Sequence, residues 1–359
     1  MAFRLNSKIT ITQSSLAAKT IAVNANAVSN LGGTNLAAVL GTPKPKTYTF
    51  SGVNNIHISS SIYSFTDLCT IKVPTTYRLV QTGIGGTEGS VIESAPFAVG
   101  DSVNVQLGYN GKYNTEFIGF IIRLNFTTPL EIECEGYSYQ LRTNLTPISF
   151  TNTTLKNILK YVIQGTDITL SPNIPDMPVT KYIIFSETGA QVLEKMKHDL
   201  LLTIYFTANE LYAGLTYADD KKQTVTLRLG WNTIKNDQLK KVLNTDYNVQ
   251  INYIGIKNDG TKITATAGNS ANIKRHKTYS VTDSETLQAM ANTQLLKETF
   301  NGYKGKITFF GEPFCQKMWV VNLQDPKYSE REGKYLIDSL EVSYGVNGFR
   351  RIAGISIEI

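Results

Sequence analysis

Cysteine, histidine and charge are all scarce in this chain. Three cysteines, Cys69, Cys134 and Cys315, are spread over 359 residues. Their odd number excludes a simple disulfide framework, and the lack of any C-x-x-C pair removes the usual zinc and thiol-redox signatures. Each lies in apolar, strand-like sequence, the ordinary setting of a buried reduced thiol. The three histidines, His57, His198 and His276, fall on a strand-like, a helical and a basic segment, with no H-x-x-x-H spacing. No stretch approaches the ~18 apolar residues of a membrane-spanning helix, and "MAFRLNSKITITQ" has no apolar core for a secretory signal. No metal, cofactor or membrane span is therefore expected, and a soluble protein made in a cytoplasm is. Charged residues make up 18% of the chain, below the usual quarter.

What the chain has instead is threonine, asparagine, serine and 19 tyrosines, with 42% hydrophobic residues. That is ample for packed cores and typical of β-rich proteins with weakly charged surfaces. The net charge of +6 comes from 35 basic and 29 acidic residues. Spread over this length, it is no nucleic-acid footprint. The small basic clusters "IKRHKTY" (Ile273 to Tyr279) and "LKK" (Leu239 to Lys241) fit solvation or an acidic protein partner better than DNA.

Residues 1–46 read as a strand-like start followed by a small-residue arm and a proline linker at Pro43 and Pro45. Residues 47–146 hold about five alternating strands without a helix. In one of them Val103, Val105, Leu107 and Tyr109 share a face opposite Asn104 and Gln106. Residues 147–217 form a small α+β module. Its first helix has Leu155, Ile158, Leu159 and Val162 on one stripe. Its second is capped by Ser186 and buries Val192, Leu193 and Met196. A hairpin over Ala208-Asn209 closes the module. Residues 218–359 return to strands, with a turn at Asp259-Gly260 and one helix from about Ser284 to Phe300. The "GIGGTEG" stretch (Gly83 to Gly89) lacks the lysine and Ser/Thr of a phosphate loop and reads as a flexible connection.

The chain repeats itself weakly. "PFAVGDSVNVQL" at Pro96 parallels "PFCQKMWVVNLQ" at Pro313, and "FIGFIIRL" at Phe117 parallels "YLIDSLEV" at Tyr335, at offsets of 217 and 218 residues. A duplicated β unit accounts for this, its second copy closing on the final hairpin. Glu131, Glu133 and Glu135 alternate with Ile132 and Cys134, so the three carboxylates share one strand face. They point in parallel and flank no cleft, which argues against glycosidase chemistry. A solvated face or a channel wall is the expectation.

Taken together, "SFTDLCTIKVP", "FAVGDSVNVQLGYNG", "EFIGFIIRLNFTTPLEIECEGYSYQLR", "AQVLEKMKHDLLLTIYFTANELYAGLTY", "FGEPFCQKMWVVNLQD" and the terminal hairpin resemble the hub proteins of phage baseplates. These are the late control protein D family, the Mu-type tail hub and the amino-terminal hub region of VgrG. The resemblance spans Lys46 to Ile359 by order of elements. It implies a mainly β fold with α+β inserts: two tube-like antiparallel β-barrels (47–146 and 218–359) plus a small α/β module. It also implies a homotrimer without catalytic activity in the virion tail, fitting a hexameric tail tube or distal tail protein above to a threefold spike below. A tape measure protein is a further partner, and DNA passes through the channel without specific binding. Channel lining is expected for Glu131, Glu133 and Glu135. The chain shows no spike repeat after the hub region, so the spike is expected to be a separate protein. The competing readings are a tail-associated cell-wall hydrolase and a receptor- or carbohydrate-binding tail protein. Both tryptophans, Trp231 and Trp319, fall in strand-like apolar runs, which counts against the second.

Overall fold

The computed structural model describes residues 4–14, 45–74, 77–81, 88–92, 97–215, 223–235, 239–243, 248–269, 271–300 and 302–359. The small-residue arm, most of the Gly83–Gly89 stretch and Pro96 lie outside them. The chain divides into two compact units, the first made of Met1–Ser59, Leu68–Tyr139 and Val342–Arg350, the second of Ser60–Asp67, Gln140–Glu341 and Arg351–Ile359.

In the first unit, alternation in the sequence becomes an antiparallel sheet. Leu5–Thr12, at the head of the expected arm, pairs with Ser102–Tyr109 along all eight of its residues. Ile9 thus faces Val105 and Ile11 faces Val103, and all four are buried. From there the order continues on one side through Lys112–Asn125, Leu130–Glu135, Leu68–Val73 and Asn55–Ser61. On the other side it passes through Thr47–Phe50, Tyr77–Gln81 and Glu88–Ile92. Asn110 (φ 52°) and Gly111 (φ 82°) make the tight turn between Tyr109 and Lys112. Positive φ at both central residues matches the twist of the flanking strands, which is why Asn-Gly suits this place.

The second unit mixes helices and strands. Helix Leu155–Val162 buries Leu155, Ile158, Leu159 and Val162, the stripe its 3.6-residue spacing predicts. Helix Gly189–Asp199 buries Val192, Leu193 and Met196. Its cap is Thr188, not Ser186: the Thr188 side chain accepts from Gln191 N while the Gln191 side chain accepts from Thr188 N. Ser186 has φ 52° and lies two residues before the cap. Strands Thr203–Thr207 and Glu210–Gly214 pair across Ala208, in the left-handed region at φ 51°. A three-stranded sheet has Gln250–Ile256 at its centre, between Lys262–Ala267 and Ile273–Thr278, with helix Ser284–Glu298 on one side.

Three pairings among the described residues are parallel, the shortest being Thr169–Leu170 with Glu210–Gly214, and two of them fall where antiparallel strands are expected. Thr224–Arg228 runs parallel to Val320–Gln324, and Gln250–Ile256 runs parallel to Ile273–Thr278. Parallel neighbours need a long connection, so neither pairing is written in local alternation. The fold is mainly β, and in neither unit do the described pairings return to their first strand. The weak repeat does coincide with like elements. Ser102–Tyr109, Lys112–Asn125 and Leu130–Glu135 are consecutive neighbours, as are Val320–Gln324, Gly333–Gly345 and Gly348–Glu358. Phe117 faces Val105 in the first set and Tyr335 faces Val321 in the second.

Candidate functional site

Leu130–Glu135 lies between Leu68–Val73 and Lys112–Asn125, and its register builds the surface around the glutamates. Leu130, Ile132 and Cys134 are buried, with Ile71 opposite Ile132 and Cys69 opposite Cys134. Burial pushes both thiols well above their ordinary range, so neither is a reactive thiolate. Cys315 is also buried, and all three cysteines are free.

On the opposite face the carboxylates are not an uncompensated acidic wall. Lys72, directly across from Glu131, brings its ammonium to 2.9 Å from the carboxylate. Asn125 donates from Nδ2 to Glu131 at 3.0 Å and to Glu133 at 2.8 Å. Arg123 stands 3.6 Å from Glu133. The Lys72 ammonium first, and then the Asn125 amide, hold the Glu131 carboxyl below its ordinary range. Two rows result, Lys72–Glu131–Asn125 and Thr70–Glu133–Arg123, each with a cation beside its carboxylate.

Glu135, next in the same alternation, differs from the other two in being buried. It is 5% exposed, and Ser138 Oγ donates to its Oε1 at 2.7 Å. The chain turns back immediately after the strand through the short helix Tyr137–Arg142. Tyr137 and Tyr139 both pack on Phe120, the register partner of Glu135. Strand alternation places Glu135 with its neighbours, and only the return of the chain buries it. Glu131 and Glu133 thus share the Asn125 amide at the surface, while Glu135 is buried.

The histidines do not converge. His57 is exposed on Asn55–Ser61, His198 lies 3.0 Å from Glu194 on its own helix, and His276 stacks on Tyr253. Among the described residues no group of three or more His, Cys, Asp or Glu is placed to hold a metal. A cleft of about 400 Å³ opens beside Gln140, Thr143, Asn144, Tyr161 and Gln164, and none of its lining residues is acidic. It cannot supply the carboxylate pair of a glycosidase.

Sequence reasoning missed the exposed aromatics. Trp231 does not sit in a strand: it occupies the turn after Thr224–Arg228 and is 80% exposed. That turn is firmly built. Asn232 Oδ1 accepts from Arg228 N, Asn232 Nδ2 donates to Thr226 O, and Thr233 Oγ1 accepts from Gly230 N. Leu229 N donates to Gln324 O, so the loop after Val320–Gln324 begins alongside. Tyr328, 54% exposed, lies in that loop beneath the Arg331 guanidinium. Asparagine and glycine on both sides of Trp231 were the available turn signal.

No family model matches the chain, and no curated protein matches its sequence. Solved structures do. The 43 kDa tail protein of prophage MuSo2 from Shewanella oneidensis superposes with a TM-score of 0.61 at 14% identity, over 98% of both chains. A tail protein from Neisseria meningitidis MC58 gives 0.61 at 13% identity, over 86% of this chain and 93% of that one. An Escherichia coli type VI secretion component, described as structurally similar to the T4 tail proteins gp27 and gp5, gives 0.51 at 11% identity, over 86% and 74%. The resemblance read from the sequence therefore holds at the level of fold: this chain shares the fold of phage tail proteins along nearly its whole length.

Proposed function

We propose that this chain is a structural subunit of a phage tail or a related injection machine, and within it the baseplate hub. The observation that carries the reading is the match of 98% of this chain to 98% of a prophage tail protein. In the finer reading the chain forms two tube-like barrels (47–146 and 218–359) flanking the α+β module (147–217), and three chains close into a ring. The two like sets of three consecutive strands support such a doubling. A trimer with two similar barrels per chain offers six similar edges to a hexameric tube or distal tail protein while keeping threefold symmetry for a separate spike. Closure requires each repeated surface to meet its neighbour in the same way. The reading requires no catalysis or cofactor, includes a tape measure protein as a further partner, and places the chain in the virion tail after synthesis in the host cytoplasm.

The channel-lining proposal narrows to Glu131 and Glu133, because Glu135 is buried. Their paired cations make the two rows nearly neutral, a surface to which passing DNA phosphates would neither stick nor be strongly repelled. Light scattering on the purified chain, alone and with tube protein, tests the assembly, with electron microscopy of the product. A ring-shaped trimer is expected. A stable monomer at high concentration with tube protein present overturns the hub reading.

One observation favours a second reading, a receptor- or carbohydrate-binding tail protein: Trp231 and Tyr328 stand exposed on neighbouring connections. Glycan-array binding that is lost in Trp231→Ala would support it over the hub.

A further inference from the structure

The sheet centred on Gln250–Ile256 has one covered side. Tyr253 and Ile251 are fully buried, and a Cβ on Gly255 would meet Leu287 Cδ1 of helix Ser284–Glu298 at 2.8 Å. The alternate residues Gln250, Asn252, Ile254 and Ile256 face the other way and are half-buried. Register extends that outer face across three strands. Thr266, Thr264 and Lys262 stand opposite Asn252, Ile254 and Ile256. Ile273, Arg275 and Lys277 stand opposite Gln250, Asn252 and Ile254. Lys262, Thr264, Thr266, Arg275 and Lys277 are exposed.

This face holds three cations and no carboxylate. Among the described residues the side chains of Lys262, Arg275 and Lys277 form no ion pair or hydrogen bond. Lys274, which points to the covered side, lies 2.5 Å from Glu298. Where this strand uses a cation internally, it is paired. Lysine on an outer strand also discourages edge-to-edge association, but that does not account for isoleucines left half-exposed down the central strand. An apolar centre within a charged rim is the anatomy of a protein interface.

We infer that this sheet face docks an acidic protein surface, whose carboxylates pair with Lys262, Arg275 and Lys277 around Ile254 and Ile256. Charge complementarity selects the sign of the partner. The outward rows of the three strands contain no aromatic ring for base stacking, the exposed Tyr279 standing alone just past the last of them. Three cations are also few against the phosphate contacts of typical nucleic-acid binders, so protein is favoured over nucleic acid. The proposal is independent of the hub reading.

The test uses the full chain with two labelled probes, a peptide of alternating glutamate and valine and a single-stranded oligonucleotide of equal charge. Binding is followed by fluorescence anisotropy at several salt concentrations. The wild type is expected to bind the peptide more tightly than the oligonucleotide, and more weakly as salt rises. The variant Lys262→Glu/Arg275→Glu/Lys277→Glu should lose about tenfold in peptide affinity or more. A control of equal charge change in the α+β module, Lys156→Glu/Lys160→Glu/Lys181→Glu, should lose less than about threefold. If charge reversal prevents folding, the Gln triple at the same three positions takes its place, with the same direction expected. Equal losses in the two triples overturn the proposal, as does a peptide that does not bind. Tighter oligonucleotide binding that depends on the same three cations overturns it in favour of nucleic acid.

Discussion

At Lys297 desolvation by burial lowers the pKa to about 8, while Nζ donates to Leu201 O at 3.0 Å. An unfolded lysine titrates near 10.4, so between these values the unfolded chain binds more protons than the folded one. Stability contributed at this site therefore rises with pH across that window, and the cost of the buried charge is fully present below it. Over the same pH range the buried thiols of Cys69 and Cys134 act with the opposite sign, since only the unfolded chain ionises them. The lysine is therefore read by difference: in urea melts from pH 8 to 9.5 the wild type should gain about 1–2 kcal/mol relative to Lys297→Met. Wild-type and Lys297→Met curves that run parallel over that range would refute the assignment. The exposed Lys72–Glu131 pair behaves differently: Glu131→Gln should change stability by less than about 1 kcal/mol, measured by the same melts, because solvent screens half-exposed ion pairs. The alternation around residues 130–135 was legible from sequence, and Ile132 and Cys134 are buried as it requires. Glu135 was not, because Ser138, Tyr137 and Tyr139 act on it only after the chain reverses direction. The apparent apolar context of Trp231 was misleading for a related reason. Leu229 is buried while Gly230 and Trp231 are turned outward, and composition does not distinguish a strand from the turn that ends it.

Among the elements, the two helices of the α+β module were the most legible because their buried residues recur at helical spacing within a few turns. The cap of the second was misread because Ser186 and Thr188 are both good capping residues, and only the geometry shows which reaches Gln191 N. Thr188→Ala should cost about 1 kcal/mol by removing the hydroxyl that accepts from Gln191 N, while the backbone N–H to Gln191 Oε1 remains, read as a lower midpoint in urea. Ser186→Gly should be neutral or slightly stabilising, because φ 52° is a conformation glycine adopts without strain. If Ser186→Ala costs as much as Thr188→Ala, the capping assignment fails. The parallel pairs were invisible from sequence. Val320–Gln324 meets Thr224–Arg228 across roughly ninety intervening residues, and a strand's own alternation does not name its neighbour or its direction. The antiparallel hairpin at Asn110-Gly111 needs only local chemistry, which is why runs such as "GYNG" suit tight turns.

For the whole molecule, the sharpest anomaly is an 80%-exposed tryptophan on a turn held by three hydrogen bonds from Asn232 and Thr233. Folding of the single chain gains little from Trp231, so its conformation is preorganised without benefit unless something covers it. Tryptophan on a rigid support is the residue type most enriched where binding energy concentrates. If the chain assembles as a hub, Trp231 should therefore be buried against a neighbouring chain or an adjoining tail protein. Trp231→Ala should leave the thermal midpoint within about 2 °C, since surface changes alter stability little. Its effect should appear in assembly instead: sedimentation velocity should show the association constant falling by about tenfold or more. Tryptophan fluorescence gives an independent reading, because burial of an exposed indole shifts its emission to the blue as the complex forms, and Trp231→Phe should remove that shift while retaining most of the affinity. An assembled complex in which Trp231 still quenches freely with iodide would exclude it from every interface of the hub and leave the glycan-binding reading to account for it.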